Sequence, residues 1–133
     1  MSALDVGGLV ERFERYKALR YLQKKRIVIF AGGTGNPLVS TDFAASLRGI
    51  EMGAQILLKA ISVSGIFSED PAKNPQAILY RYLSYQQVLA QELGVMELAA
   101  FWQCRDHRLP IRVFDIHTPK HYWPFYRGSH WVR

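Results

Sequence analysis

At 133 residues, with 49% hydrophobic and 21% charged side chains, the chain has the size and make-up of one globular domain with a modest core. No apolar run approaches the roughly 20 residues that span a bilayer. The opening residues lack the basic-then-apolar order of a secretory leader, and the single cysteine, Cys104, excludes an internal disulfide, so a reducing cytoplasm is the expected location. A net charge of +6 suits an anionic partner, whether nucleotide or nucleic acid.

Residues 8–24 read as a helix with an apolar stripe of Leu9, Phe13, Tyr16, Leu19 and Leu22. Arg12, Arg15, Lys17, Arg20, Lys24, Lys25 and Arg26 crowd the same stretch. With Glu11 and Glu14 interleaved, they fit a solvated helix face; a track for a phosphate backbone is the alternative. The β-branched run 26–30 reads as a buried parallel strand. After a glycine-rich string, a helix over about 42–52 presents Phe43, Leu47 and Ile50 on one face. Residues 55–59 form the next strand, so 26–59 reads as a βαβ unit with parallel strands.

Residues 60–78, punctuated by Gly65, Pro71, Asn74 and Pro75, read as a long irregular connection, a length usually reserved for function. Ser84 and Gln87 have capping-box spacing and open a helix carrying Val88, Leu89 and Leu93, with Gly94 placed to end it. A helix over about 95–107 carries Met96, Leu98, Ala99, Phe101 and Trp102, and Cys104 on it reads as core filler rather than nucleophile. Residues 111–115 supply a third strand and 131–133 a terminal one. Between them, 121–127 are aromatic and basic, suited to stacking on bases or to closing the core.

The string from Ala31 to Asp42 organises the rest. A strand that runs into a glycine turn and then a helix start is a place for an anion, because glycine lets backbone approach and helix-end N–H groups point at negative oxygens. Ser40 and Thr41 add hydroxyls, and Thr41 or Asp42 can cap the helix. No Lys–Ser/Thr pair closes the string, so it is not a P-loop; the third glycine of a dinucleotide fingerprint is missing as well.

This string resembles that of the bacterial uridylate kinases, a branch of the amino acid kinase family. So do Leu58–Lys59–Ala60, the stretch from Ser64 to Pro71, Val95–Met96–Glu97–Leu98–Ala99–Ala100–Phe101 and the stretch from Cys104 to Phe114. The likeness runs over about residues 1–120 and matches only the C-terminal half of such an enzyme. It implies an α/β fold, three-layer α/β/α with a mostly parallel sheet, as a partial amino acid kinase (carbamate kinase-like) fold. Residues 1–133 would be a single domain, with 117–133 a divergent tail.

The same resemblance implies phosphoryl transfer from ATP to UMP in pyrimidine nucleotide biosynthesis, with Mg²⁺ as the cation. It places UMP against Thr34, Gly35, Asn36, Pro37, Leu38, Val39, Ser40 and Thr41, and makes Asp42 catalytic. It places ATP against Lys59, Ile61, Phe67 and Asp70. Leu38, Val39 and Ser40 depart from the family's usual residues, Ile61 stands where threonine is usual, and Ser64 where aspartate is usual. The Lys-bearing and second glycine-rich segments of the family's N-terminal half have no counterpart here. A weak or inactive half-enzyme is therefore expected, relieved by self-association or by a partner chain that covers the exposed sheet edge. A non-catalytic nucleotide- or partner-binding remnant is the alternative, and a small basic nucleic-acid module ranks third.

Overall fold

The structure, a computed structural model, describes residues 1–62, 65–117 and 130–133. In chain order these form α1 (Arg15–Gln23), α2 (Thr41–Glu51), β1 (Leu57–Ile61), β2 (Ile66–Phe67) and β3 (Leu79–Tyr80). There follow β4 (Tyr82–Leu83), α3 (Tyr85–Ala90), α4 (Leu98–Asp106), β5 (Ile111–Asp115) and β6 (His130–Val132). The architecture is α/β, as the sequence implied. One sheet has the order β1-β5-β6-β4, and two of its three pairings, β1 with β5 and β4 with β6, are parallel.

The parallel pair β1/β5 sets Leu57 opposite Ile111 and Ile61 opposite Asp115, so both strands end on the same side. The crossover between them passes through β2 to α4. Helix α4 presents Ala100, Phe101 and Cys104, all fully buried, to a core that includes Ile111 and Val113 of β5 and Val132 of β6. Helix α2 joins α4 through buried Ser46, whose hydroxyl donates to Gln103 Oε1 at 2.5 Å. The terminal strand and the third strand form where the sequence placed them. The 121–127 tail and Ser64 lie outside the described residues.

Several elements differ from the sequence reading. Helix α1 begins only at Arg15, where the Glu14 side chain accepts from Tyr16 N–H at 3.1 Å. Ahead of it, Ser2 N–H donates to Glu11 O and Phe13 N–H donates to Ser2 O, which holds 11–13 out of a helix; Leu9 is left exposed. The basic side chains of this segment are indeed solvated, and the cluster is a surface. The 60–78 connection is not irregular throughout, because β2 and β3 pair antiparallel with Ile66 opposite Tyr80. Helix α3 has its full capping box at Ser84, but it ends at Ala90, with Glu92 rather than Gly94 in the left-handed region at φ 48°.

The largest correction concerns 26–31. The segment is extended, and Arg26 N–H donates back to Tyr21 O, yet among the described residues the backbone of 27–31 bonds to the first residues of the chain: the Met1 ammonium donates to Ile29 O, Ala31 N–H to Met1 O, and Ala3 N–H to Ala31 O. It does not pair with β1, and the βαβ unit over 26–59 does not form. Ile27 is 93% and Ile29 76% exposed, against the expectation of a buried strand. An apolar slot of about 700 Å³ lies between Phe30, Gly32 and Gly33 on one side and Leu57 on the other, against Ala44 and Gly49 of α2.

Burial pushes the Cys104 thiol up to about 11 from its ordinary 9.0, and it pushes the Tyr85 phenol up as well. Both groups keep their protons in the folded state at pH values where the unfolded chain would release them. The Cys104 contribution is present below about pH 9 and is lost as pH rises toward 11, and the Tyr85 contribution begins to be lost as pH passes 10.0. Urea midpoints at pH 8 and pH 10.5 should therefore fall, and Cys104→Ala should flatten the fall without abolishing it, because Tyr85 remains.

Candidate functional site

The glycine turn is built by its own polar groups. Gly32, Gly33 and Gly35 take φ of 76°, 59° and 82°, which side-chain-bearing residues adopt only under strain. A Cβ at Gly35 would also lie 3.3 Å from Ala3 O. Gly35 N–H donates to Gly32 O, Asn36 N–H to the Thr34 hydroxyl at 3.2 Å, and Leu38 N–H to Asn36 Oδ1 at 2.9 Å. Thr34 and Asn36 thus shape the loop, and the amides of Gly35, Asn36 and Leu38 are already used. The amides of Thr34, Thr41 and Asp42 have no partner among the described residues, and the last two open α2. The turn is accessible, and Leu38 is 92% exposed.

Helix α2 is capped by Ser40, one residue before the positions the sequence favoured; Ser40 Oγ accepts from Phe43 N–H at 3.2 Å. The same hydroxyl donates to the Glu97 carboxylate. Asp42 bonds to the Lys59 ammonium, and its second oxygen accepts from Glu97 N–H at 3.3 Å. Four residues from three elements therefore meet: Ser40 and Asp42 at the start of α2, Lys59 on β1, and Glu97 just before α4. The Asp42 and Lys59 side chains are 20% and 26% exposed, enough to screen the pair in part. The carboxylate sits well at a helix N-terminus, and its charge is what holds the Lys59 cation there against the helix dipole.

Glu97 is the residue that the sequence reading passed over. It sits in a quoted string, immediately ahead of the apolar positions of α4, and an acid just before a helix is the only local signal it gives.

The residues expected at ATP divide into two groups. Ile61, Phe67 and Asp70 line one cavity of about 570 Å³ at the end of β1, closed on its far side by Leu93, Gly94 and Val95. Lys59 is not among them, since it turns to Asp42. Asp70 is committed locally, its Oδ1 accepting from Ala72 N–H at 2.9 Å and its carbonyl from Lys73 and Asn74. Ile61 contributes no hydrogen-bonding side chain to this wall. Among the described residues no three His, Cys, Asp or Glu side chains gather as a metal cage.

A sequence profile of the amino acid kinase family matches residues 4–115. Over 119 residues the chain is 60% identical to the uridylate kinase of Coxiella burnetii, a match covering 90% of this chain and 49% of that one. It is 56% identical over 119 residues to the uridylate kinase of Colwellia psychrerythraea, covering 90% and 48%. Among solved structures, the UMP kinase of Ureaplasma parvum superposes with a TM-score of 0.91 at 28% identity, covering 99% of this chain and 58% of that one. For the UMP kinase of Bacillus anthracis the TM-score is 0.90 at 36% identity, covering 98% and 54%. The chain spans about half the length of the curated relatives it matches. Among the described residues no helix is long and apolar enough to cross a membrane.

The Ser40–Glu97 contact makes a measurable coupling. Ser40→Ala should cost about 1 kcal/mol through loss of the cap, and Glu97→Ala no more than about 1 kcal/mol, since it is exposed. In a double-mutant cycle read by urea denaturation the two losses should not add, because each removes the same bond. Amide exchange at Phe43 should quicken in both single variants.

Proposed function

Since the chain belongs to the amino acid kinase family, we propose that it forms the nucleotide-binding part of a UMP kinase, which converts ATP and UMP to ADP and UDP. Residues 1–133 act as one domain equivalent to the C-terminal half of such an enzyme, working in the cytoplasm in pyrimidine nucleotide synthesis. The turn from Thr34 to Thr41 seats UMP, with the amides of Thr34, Thr41 and Asp42 directed at its phosphate. The cavity of Ile61, Phe67 and Asp70 receives ATP. The observation that carries this reading is the Asp42–Lys59 ion pair, which places a carboxylate and an ammonium between the turn and the end of β1.

In-line phosphoryl transfer is a matter of positioning and charge stabilisation more than of covalent work by the protein. Mg²⁺ bound to the ATP phosphates offsets their negative charge. Asp42, held by Glu97 N–H, orients Lys59, and Lys59 lends its charge to the phosphoryl oxygens. Backbone amides at the start of α2 hold the acceptor phosphate against that cation. Further chain enters the slot beside 26–31 and supplies the cations that this half lacks. Its supports are the exposed Ile27 and Ile29, the apolar lining of Phe30, Ala44 and Leu57, and relatives about twice as long. A second copy of the chain could cover the same face, and size-exclusion chromatography separates that outcome from a monomer.

One observation favours a binder without turnover. Ile61 stands in the cavity wall where a hydrogen-bonding side chain would grip ATP. Two measurements on the whole chain separate the readings. UMP should raise the melting temperature, adding about 2.7 kcal/mol of stability at a hundredfold excess over its Kd. A UDP-forming coupled assay with ATP and Mg²⁺ should show weak or no turnover, and any turnover should fall about 100-fold or more in Asp42→Asn. A melting curve indifferent to UMP would overturn the nucleotide site, and turnover untouched by Asp42→Asn would overturn the assignment of Asp42.

A further inference from the structure

At the end of the sheet where β5 begins and β4 and β6 finish lies a second feature. That is the end opposite Ile61 and the nucleotide cavity. Two clefts meet there, one of about 650 Å³ and one of about 460 Å³. They share Gln86 and Arg105 and so run as one groove across α3, α4 and the sheet end. Trp102 lines the smaller; Arg108, Trp131 and Arg133 line the larger. No acidic residue lines either cleft. Asp106 accepts from Arg105 Nε at 3.0 Å and Nη2 at 2.7 Å, which uses one edge of that guanidinium and leaves Nη1 without a partner among the described residues.

Aromatic and cationic groups are layered along this groove. The Arg105 guanidinium lies 3.9 Å from the Trp102 ring centroid, and that of Arg133 lies 5.3 Å from the Trp131 centroid. A guanidinium over an indole is a flat, cationic surface on which a further ring can stack. Each cleft has the volume of a small-ligand site, and each holds one such platform. A single mononucleotide would use only one of them. A duplex hides its base faces, and an acidic protein segment has no rings to stack. An extended polyanion with exposed flat groups uses the whole groove.

We propose that this groove binds single-stranded nucleic acid. Bases stack on the Arg105–Trp102 and Arg133–Trp131 platforms, and phosphates meet Arg105, Arg108 and Arg133. The surface is separate from the basic face of α1, where cations are spread among Glu11 and Glu14 without a groove. It is also independent of the UMP kinase reading.

The test is fluorescence polarisation of a labelled 12-nucleotide mixed-sequence DNA strand with the whole chain. Saturable binding is expected, weakening about 20-fold between 50 and 200 mM salt for three phosphate contacts. Trp131→Ala and Arg108→Gln should each weaken it about tenfold, whereas Asp42→Asn and Arg20→Gln leave it unchanged. An abasic strand of the same length should bind about tenfold less tightly, because it offers no rings. Arg108 sits on an exposed turn, so its variant decides the matter if Trp131→Ala melts early. Absence of saturable binding at 50 mM salt would overturn the proposal. Equal affinity for the abasic strand would do so too, and equal affinity for polyaspartate would replace nucleic acid with an acidic protein.

Discussion

The nucleotide end of the molecule depends on where the Asp42 carboxylate is held. One oxygen meets the Lys59 ammonium and the other the Glu97 amide, so its plane is fixed between a strand and the helix that follows on the far side. The partial positive charge of the α2 N-terminus adds a third stabilising field. An unpaired Lys59 side chain would swing freely from the middle of β1; paired, it lies at the start of α2. An incoming phosphate competes for that ammonium, so the pair both preorganises the site and sets the charge a ligand must match. Ser40 reinforces the arrangement, because its single hydroxyl caps α2 as an acceptor and ties down Glu97 as a donor.

That geometry is possible because β1 and β5 run parallel and end together. The crossover between them returns α4 alongside α2, and buried Ser46 and Gln103 lock the two helices where Glu97 can reach Ser40 and Asp42. The glycine turn is then positioned by α2 rather than by a strand ahead of it. Residues 26–31 supply the extended lead-in, but Ile27 and Ile29 face outward while Val28 and Phe30 turn inward, and the backbone of 29–31 bonds to the first residues of the chain. A β-branched run with this exposure is a strand awaiting neighbours, and the slot between it and β1 is lined by the apolar face such neighbours would cover.

Much of this was legible in the sequence where a local rule decides the outcome. Ser84 with Gln87, the apolar face of α4 and the β-branched run over 111–115 each needed only nearest neighbours, and each formed. The glycine string declared its turn for the same reason. What was hidden depended on distant contacts. Periodicity through Leu9 suggested a longer first helix, but bonds from Ser2 pull 11–13 into an extended path, and no local pattern encodes that. The run at 26–30 has every mark of a buried strand, yet burial is decided by which strands lie beside it. The β2/β3 hairpin escaped notice because two-residue strands carry no period. Glu97 was invisible as a site residue, since only the docking of α4 on α2 brings it to Ser40.

Seating a phosphate and transferring one make different demands, and the chain meets them unequally. In the proposed site, three amides and the dipole of α2 would hold the monophosphate, and they cost little to reorganise once the turn is built. Transfer from a triphosphate gathers several more negative oxygens at one point. Among the described residues, Lys59 is the cation bonded within this cluster, and it is already paired with Asp42. The cavity proposed for ATP is walled by Ile61, Phe67 and Leu93, with Glu69, Asp70 and Glu92 as its charged members, which is the wrong sign for a polyphosphate. Under the proposed reading the charge balance closes with cations from outside this half, and the open slot beside 26–31 is where such chain would reach the turn. Under the proposed UMP kinase reading, binding resides in these 133 residues, and the rate of the reaction would depend on what fills the slot.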